Sequence, residues 1–211
     1  MERRVCFFLN YFLLLQKSKG IIMIKILYIH GYGSIGNSRT ALEIGKNMIG
    51  KAEVFSPAFS NDLEFSENAK KNIEKAKEFI LKNDIKLVVA SSMGAFTATF
   101  ISSIPTILIN PCLKPSEQLP LRIVPNISFE EIEKYREMEN RIIPEEYKTM
   151  VYGVFANNDE LFSYKSIFEE IYDKEKIFTI EDGHRISIEN IREVVVPLIE
   201  RIINPHNIQS F

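Results

Sequence analysis

The chain has 211 residues, 45% of them hydrophobic and 26% charged, with 26 basic residues against 28 acidic ones and a formal charge of −2. That length suits one domain with a real core, and the composition excludes a disordered chain, a collagen-like chain and a disulfide-stapled miniprotein. The near balance of charge offers no footprint for a nucleic-acid backbone, and Cys6 and Cys112 have neither disulfide-framework nor metal-ligand spacing.

Residues 1–22 differ in character from the rest of the chain. Arg3 and Arg4 precede an apolar run from Val5 to Leu15 that only Asn10 interrupts. As a helix this run rises about 16 Å, well short of the roughly 30 Å hydrocarbon core, so it does not span a bilayer. It has the length of a signal-peptide core, but Gln16-Lys17-Ser18-Lys19-Gly20 is charged and lacks a small-x-small cleavage pattern. Met23 stands directly before a strong strand and is the expected start of the folded unit, residues 23–211. The leader then reads as an over-extended reading frame, a disordered segment or a weak anchor. The expected location is cytoplasmic, with weak membrane association through residues 1–22 as the alternative.

From residue 24 onward, short apolar runs alternate with helix-period stretches. The runs fall at 24–30, 52–55, 86–91, 106–110, 150–156 and 176–180, and most lack polar alternation. Such runs are expected of parallel strands buried on both faces. A helix is expected to begin with Asn37 or Ser38 as its cap. In 67–82, Ala69, Ile73, Ala76 and Ile80 share one face and charges cover the other. Residues 187–203 carry Ile188, Ile191, Val195 and Ile199 at similar spacing, with Pro197 expected to kink the helix or tighten its middle. Strand–helix alternation of this kind predicts an α/β fold with a doubly wound, mainly parallel, six-stranded sheet. Neither an internal repeat nor a linker divides it.

The connection at 111–149 is too long for a simple crossover. Within it, Ser128 and Glu131 form a capping box, and Ile127 with Ile132 a hydrophobic staple. Phe129, Ile132, Tyr135 and Met138 then mark an apolar helix face. The insertion is expected either to pack on the body or to form a short helical cap over a site. Its apolar residues favour an acyl substrate over a highly charged one.

The most specific local pattern is Val88-Val89-Ala90-Ser91-Ser92-Met93-Gly94-Ala95-Phe96. A strand runs into a sharp turn and a helix starts near Met93, the setting of a nucleophile elbow. Small residues two before and two after the nucleophile let strand and helix pass closely, and Ala90 and Gly94 select Ser92. A serine needs a base, and the base an orienting carboxylate. In this topology the chain order is serine, acid, histidine. His184 follows the last predicted strand, whereas His206 falls near the carboxyl-terminal end, where fraying is expected. Asp159 follows the preceding strand and is the first choice of acid, with Glu160 as substitute and Asp182 as a helper near the histidine.

His30-Gly31-Tyr32-Gly33-Ser34 closes the first strand. A glycine turn there would aim the Tyr32 N–H at the site, where with the Met93 N–H it would form an oxyanion hole. His30 and Gly31 read as structural support. The same stretch supplies a competing reading, since Gly31-x-Gly33-x-x-Gly36 matches the dinucleotide fingerprint. Against it, the next strand ends Val54-Phe55-Ser56, without an acid for the ribose. Cys112 reads as a buried or half-buried structural thiol. Nothing indicates a metal, and no cofactor is expected.

With these motifs the chain resembles the small bacterial esterases of the YqiA type, within the α/β-hydrolase superfamily. The resemblance runs over 23–203 and is carried by I-L-Y-I-H-G-Y-G-S at 26–34, A-S-S-M-G at 90–94, I-N-P at 109–111, N-N-D-E at 157–160 and D-G-H at 182–184. It implies a three-layer hydrolase core lacking the superfamily's first two strands, with Ser92 as nucleophile, Asp159 as acid and His184 as base. It also implies action on short acyl esters and acyl thioesters. The chain departs from the family at Ala90, at Asn158 where glycine is common, and in its leader. The expected function is a carboxylesterase or thioesterase acting on a small acyl substrate through an acyl-enzyme. A non-catalytic binding protein on the same scaffold and a nucleotide-binding reductase are the alternatives, and oligomeric state is open.

Overall fold

The six apolar runs become six strands: β1 (Ile24–Ile29), β2 (Ala52–Phe55), β3 (Leu87–Ser91), β4 (Thr106–Ile109), β5 (Val151–Ala156) and β6 (Ile177–Ile180). The computed structural model describes residues 23–204, so the expectations for the leader, Cys6 and His206 lie outside the described residues. Every strand pair is parallel, and the spatial order is β2-β1-β3-β4-β5-β6. Strand order therefore reverses at β1, and the crevice beyond the carboxyl ends of β1 and β3 is the switch point where open α/β sheets place their sites.

Period-two alternation sends each strand's side chains to two cores. Leu27, Ile29, Val88, Ala90 and Leu108 pack on one face, and Ile26, Tyr28, Leu87, Val89 and Ile107 on the other. Burial of each large aliphatic side chain contributes about 1.5–3 kcal/mol. The second face is covered by α1 (Arg39–Asn47) and by the carboxyl-terminal helix. The first is covered by α2 (Ser66–Asn83) and α3 (Met93–Ala98). As the spacing predicts, Ala69, Ile73, Ala76 and Ile80 of α2 are buried. No helix among the described residues is long and apolar enough to cross a membrane.

Pro197 acts differently from expectation. The carboxyl-terminal helix runs as α8 (Ile188–Asn190), a π turn (Ile191–Val195) and α9 (Val196–Ile203), so it widens rather than tightens ahead of the proline. Proline has no N–H to donate and its ring crowds the preceding turn. The wider turn accommodates this, with the Val196 N–H reaching back five residues to the Ile191 carbonyl. A second π turn (Leu119–Ile123) surrounds Pro120.

Between β4 and β5 lie α4 (Pro115–Gln118), α5 (Phe129–Glu139) and α6 (Glu145–Lys148), and beyond β5 comes α7 (Lys165–Ile171). Two fully buried tyrosines anchor the insertion to the body. The Tyr135 hydroxyl donates to the Leu63 carbonyl at 3.0 Å and that of Tyr147 to the Ala98 carbonyl at 3.1 Å. Two details correct the sequence reading. Phe129 is 74% exposed, so the packed face of α5 begins at Ile132. Only half of the capping box forms: Ser128 Oγ accepts the Glu131 N–H at 3.2 Å, but the Glu131 carboxylate accepts the Ser66 N–H at 2.7 Å instead of turning back. The cap position of α2 is Phe65, which has no acceptor, and Glu131 supplies one from the adjacent helix.

Candidate active site

Ser92 sits between β3 and α3 with φ 52° and ψ −126°, a conformation costing a non-glycine residue about 1–3 kcal/mol. The surroundings hold it there. Its N–H donates to the Ile109 carbonyl at 3.0 Å, and its carbonyl accepts the Cys112 N–H at 3.1 Å. A Cβ on Gly94 would lie 2.4 Å from the His30 carbonyl oxygen, so only glycine lets α3 cross the end of β1 this closely. Ala90 is fully buried on the strand side of the turn. A Cβ on Gly31 would lie 2.8 Å from Ser92 Cβ, because the two turns at the switch point are pressed together.

Three side chains from three loops meet in a line. His184 Nε2 is 2.9 Å from Ser92 Oγ, and His184 Nδ1 is 3.0 Å from both carboxylate oxygens of Asp159. An ionised carboxylate only accepts, so Nδ1–H donates to Asp159 and the bare Nε2 accepts the serine hydroxyl. Burial works to raise the Asp159 carboxyl, but the His184 hydrogen bond and the Phe162 and Leu161 N–H groups outweigh it and hold it below its usual value. The carboxylate is 5% exposed and the imidazole 10%, with the Phe162 ring edge-on to the imidazole at 4.8 Å.

The neighbouring acids have other partners. Glu160 accepts the His184 backbone N–H at 2.9 Å, so it ties down the loop and does not meet Nδ1. Asp182 accepts the N–H groups of Gly183 and Ser187 and the Asn190 amide, bracing the loop without touching the imidazole. Asn158, where the family commonly has glycine, has no positive φ, so the turn needs no glycine there. His30 is buried: its Nε2 accepts the Phe59 N–H at 2.9 Å, which leaves Nδ1–H to donate to the Gly31 carbonyl at 2.9 Å. The Tyr32 and Met93 N–H groups donate to no acceptor among the described residues, and Met93 is the first residue of α3. Both residues border a hollow whose other walls include Phe59, Leu63 and Phe96.

Asn110 has a role that sequence reasoning missed. It is 2% exposed with φ 42°, and its amide donates to the carbonyls of Gly183 at 3.2 Å and His184 at 2.9 Å. Its oxygen accepts the Ala156 N–H at 2.8 Å, so one side chain ties the end of β5 to the histidine loop. The available signal was an asparagine closing an apolar strand directly before Pro111, since Asn tolerates positive φ.

The competing motifs are absorbed by structure. Ser38 caps α1, which begins three residues beyond Gly36. Gly36 instead packs on the loop after β2, where a Cβ would meet the Ser56 carbonyl at 2.8 Å. No helix start lies within the Gly31–Gly36 stretch to receive a pyrophosphate, which the dinucleotide fingerprint requires. Cys112 is fully buried, and that burial pushes its thiol well up.

No curated protein matches the chain in sequence. Among solved structures it is similar to Est1E from Butyrivibrio proteoclasticus, with 16% identity, a TM-score of 0.66, and coverage of 89% of this chain and 91% of that one. It is also similar to the mouse alpha/beta hydrolase domain-containing protein 10, with 14% identity, a TM-score of 0.66, and coverage of 86% and 90%. The ydeN gene product of B. subtilis matches at 12% identity and a TM-score of 0.59, with coverage of 86% and 100%. At these identities the likeness shows the fold, which is that of the α/β hydrolases. A family model described as uncharacterised protein family UPF0227 matches residues 25–200, and the chain belongs to that YqiA-like family.

Proposed function

We propose that this chain is a serine hydrolase that cleaves a carboxylic ester or an acyl thioester through an acyl-enzyme. The observation that carries the reading is the continuous line from Asp159 through His184 to Ser92, with hydrogen bonds of 3.0 and 2.9 Å, at the carboxyl edge of the sheet. The family membership and the α/β-hydrolase fold support it.

His184 Nε2 takes the Ser92 proton as Oγ bonds to the acyl carbon, and the carbonyl oxygen becomes an oxyanion. The Tyr32 and Met93 N–H groups receive that charge, each contributing about 3–4 kcal/mol to the transition state. The imidazolium, held and stabilised by Asp159, gives its proton to the leaving alkoxide or thiolate as the bond to it breaks. Water then attacks the acyl-enzyme with His184 as base, and the released products are the acid and free Ser92.

Steady-state hydrolysis of para-nitrophenyl butyrate tests the reading. Ser92→Ala and His184→Ala are expected to lower kcat by about 10⁶-fold, and Asp159→Ala by about 10⁴-fold. Turnover like that of the wild type in purified Ser92→Ala would contradict it.

A further inference from the structure

A cleft of about 440 Å³ opens beside Ser92 and His184, between the turn after β1, the start of α1 and the loop after β6. Two arginines, Arg39 and Arg185, line it, and no acidic residue does. Yet the whole chain has 28 acidic residues and a net charge of −2. Of the other described arginines, Arg192 pairs with Glu43 and Arg136 with Glu133, while Arg122, Arg141 and Arg201 lie outside this cleft. Neither cleft arginine has a carboxylate within 4.0 Å among the described residues, and Arg39 donates only to the Ile186 carbonyl. Hydroxyls of Ser34, Thr40 and Ser91 complete a polar wall.

Two unneutralised cations in one cleft beside a nucleophile raise the local concentration of anions and favour them once bound. The apolar insertion at 111–149 contributes no residue to this cleft, so the sequence-based preference for an acyl substrate over a highly charged one does not apply on this side of Ser92. Building on the hydrolase reading, we infer that the ester or thioester cleaved carries an anionic carboxylate or phosphate, bound between Arg39 and Arg185. The anion belongs either to the acyl part or to the leaving group.

Three esters read this directly: neutral para-nitrophenyl butyrate, mono-para-nitrophenyl glutarate with the charge on the acyl part, and the butyrate ester of a hydroxynitrobenzoate with the charge on the leaving group. For each anionic ester, kcat/KM is divided by that for the neutral one. For at least one of them the ratio is expected to fall about tenfold in Arg39→Gln and in Arg185→Gln, and to recover in the lysine variants. It is also expected to shrink as salt shortens the Debye length below about 10 Å. The arm that responds identifies which part of the substrate carries the charge. Arg185 makes no side-chain hydrogen bond or ion pair among the described residues, so its variant separates binding from folding. Ratios that are the same in wild type and both glutamine variants would overturn the inference. Failure of wild-type protein to react covalently with a fluorophosphonate would instead overturn the hydrolase reading beneath it.

Discussion

Asn110→Asp tests whether one buried amide holds the histidine loop in place. The substitution keeps the size, the tolerance of positive φ and the acceptor for the Ala156 N–H. It removes both donors and turns a carboxylate toward the Gly183 and His184 carbonyls, at a residue 2% exposed. A buried acceptor left without a donor costs about 1–3 kcal/mol, and these two carbonyls are only half-buried, so the pair costs about 2–4 kcal/mol. Against a domain stability of about 5–15 kcal/mol the variant still folds. Loop displacement on the order of 1 Å is enough to slow the reaction about 10²-fold. Urea unfolding monitored by circular dichroism measures the first quantity, and the rate of fluorophosphonate labelling, read by intact mass, the second. A variant that labels at the wild-type rate would refute the positioning argument even if it were less stable.

Gly31→Ala places a methyl group 3.3 Å from Ser92 Oγ and 2.8 Å from Ser92 Cβ, and is expected to slow labelling about 10²-fold with secondary structure retained; a wild-type rate would show that the turns have room to separate. The Ser66 N–H, with Lys134, holds the Glu131 carboxyl at about 2 instead of its usual 4.5, so its stabilisation is present above pH 4.5 and lost as pH falls toward 2. Glu131→Gln is therefore expected to be less stable than wild type by about 1–2 kcal/mol at neutral pH, with the gap closing as the solution is acidified toward that value; a gap independent of pH would contradict the assignment. At Cys112, whose thiol burial pushes well up, the peptide is expected to stay unalkylated by iodoacetamide in native protein and to react fully in urea. Native alkylation there would show that the region opens.

The strands were legible because each is a short, mainly apolar run, the central ones buried on both faces, and their observed ends fall within one residue of those read from the pattern. Ser92, Asp159 and His184 were legible for a related reason. Each lies beyond the carboxyl end of a strand, and the glycine at 94 is demanded by the backbone approach at that turn. What periodicity could not show is tertiary. Glu131 lies in a capping-box pattern, yet its carboxylate serves a helix whose own cap position is Phe65, a partner 65 residues away in sequence. Phe129 fits the apolar face of α5 by spacing but projects beyond the body that covers Ile132 and Tyr135. Asn110 carries no local pattern for its three partners, because they come from two other strand ends.

The central claim is that Ser92 is an activated nucleophile, and intact-protein mass after incubation with a fluorophosphonate tests it most directly. One adduct is expected on wild-type protein and none on Ser92→Ala. A folded wild type that takes up no adduct, or a Ser92→Ala variant that still takes one, would contradict it.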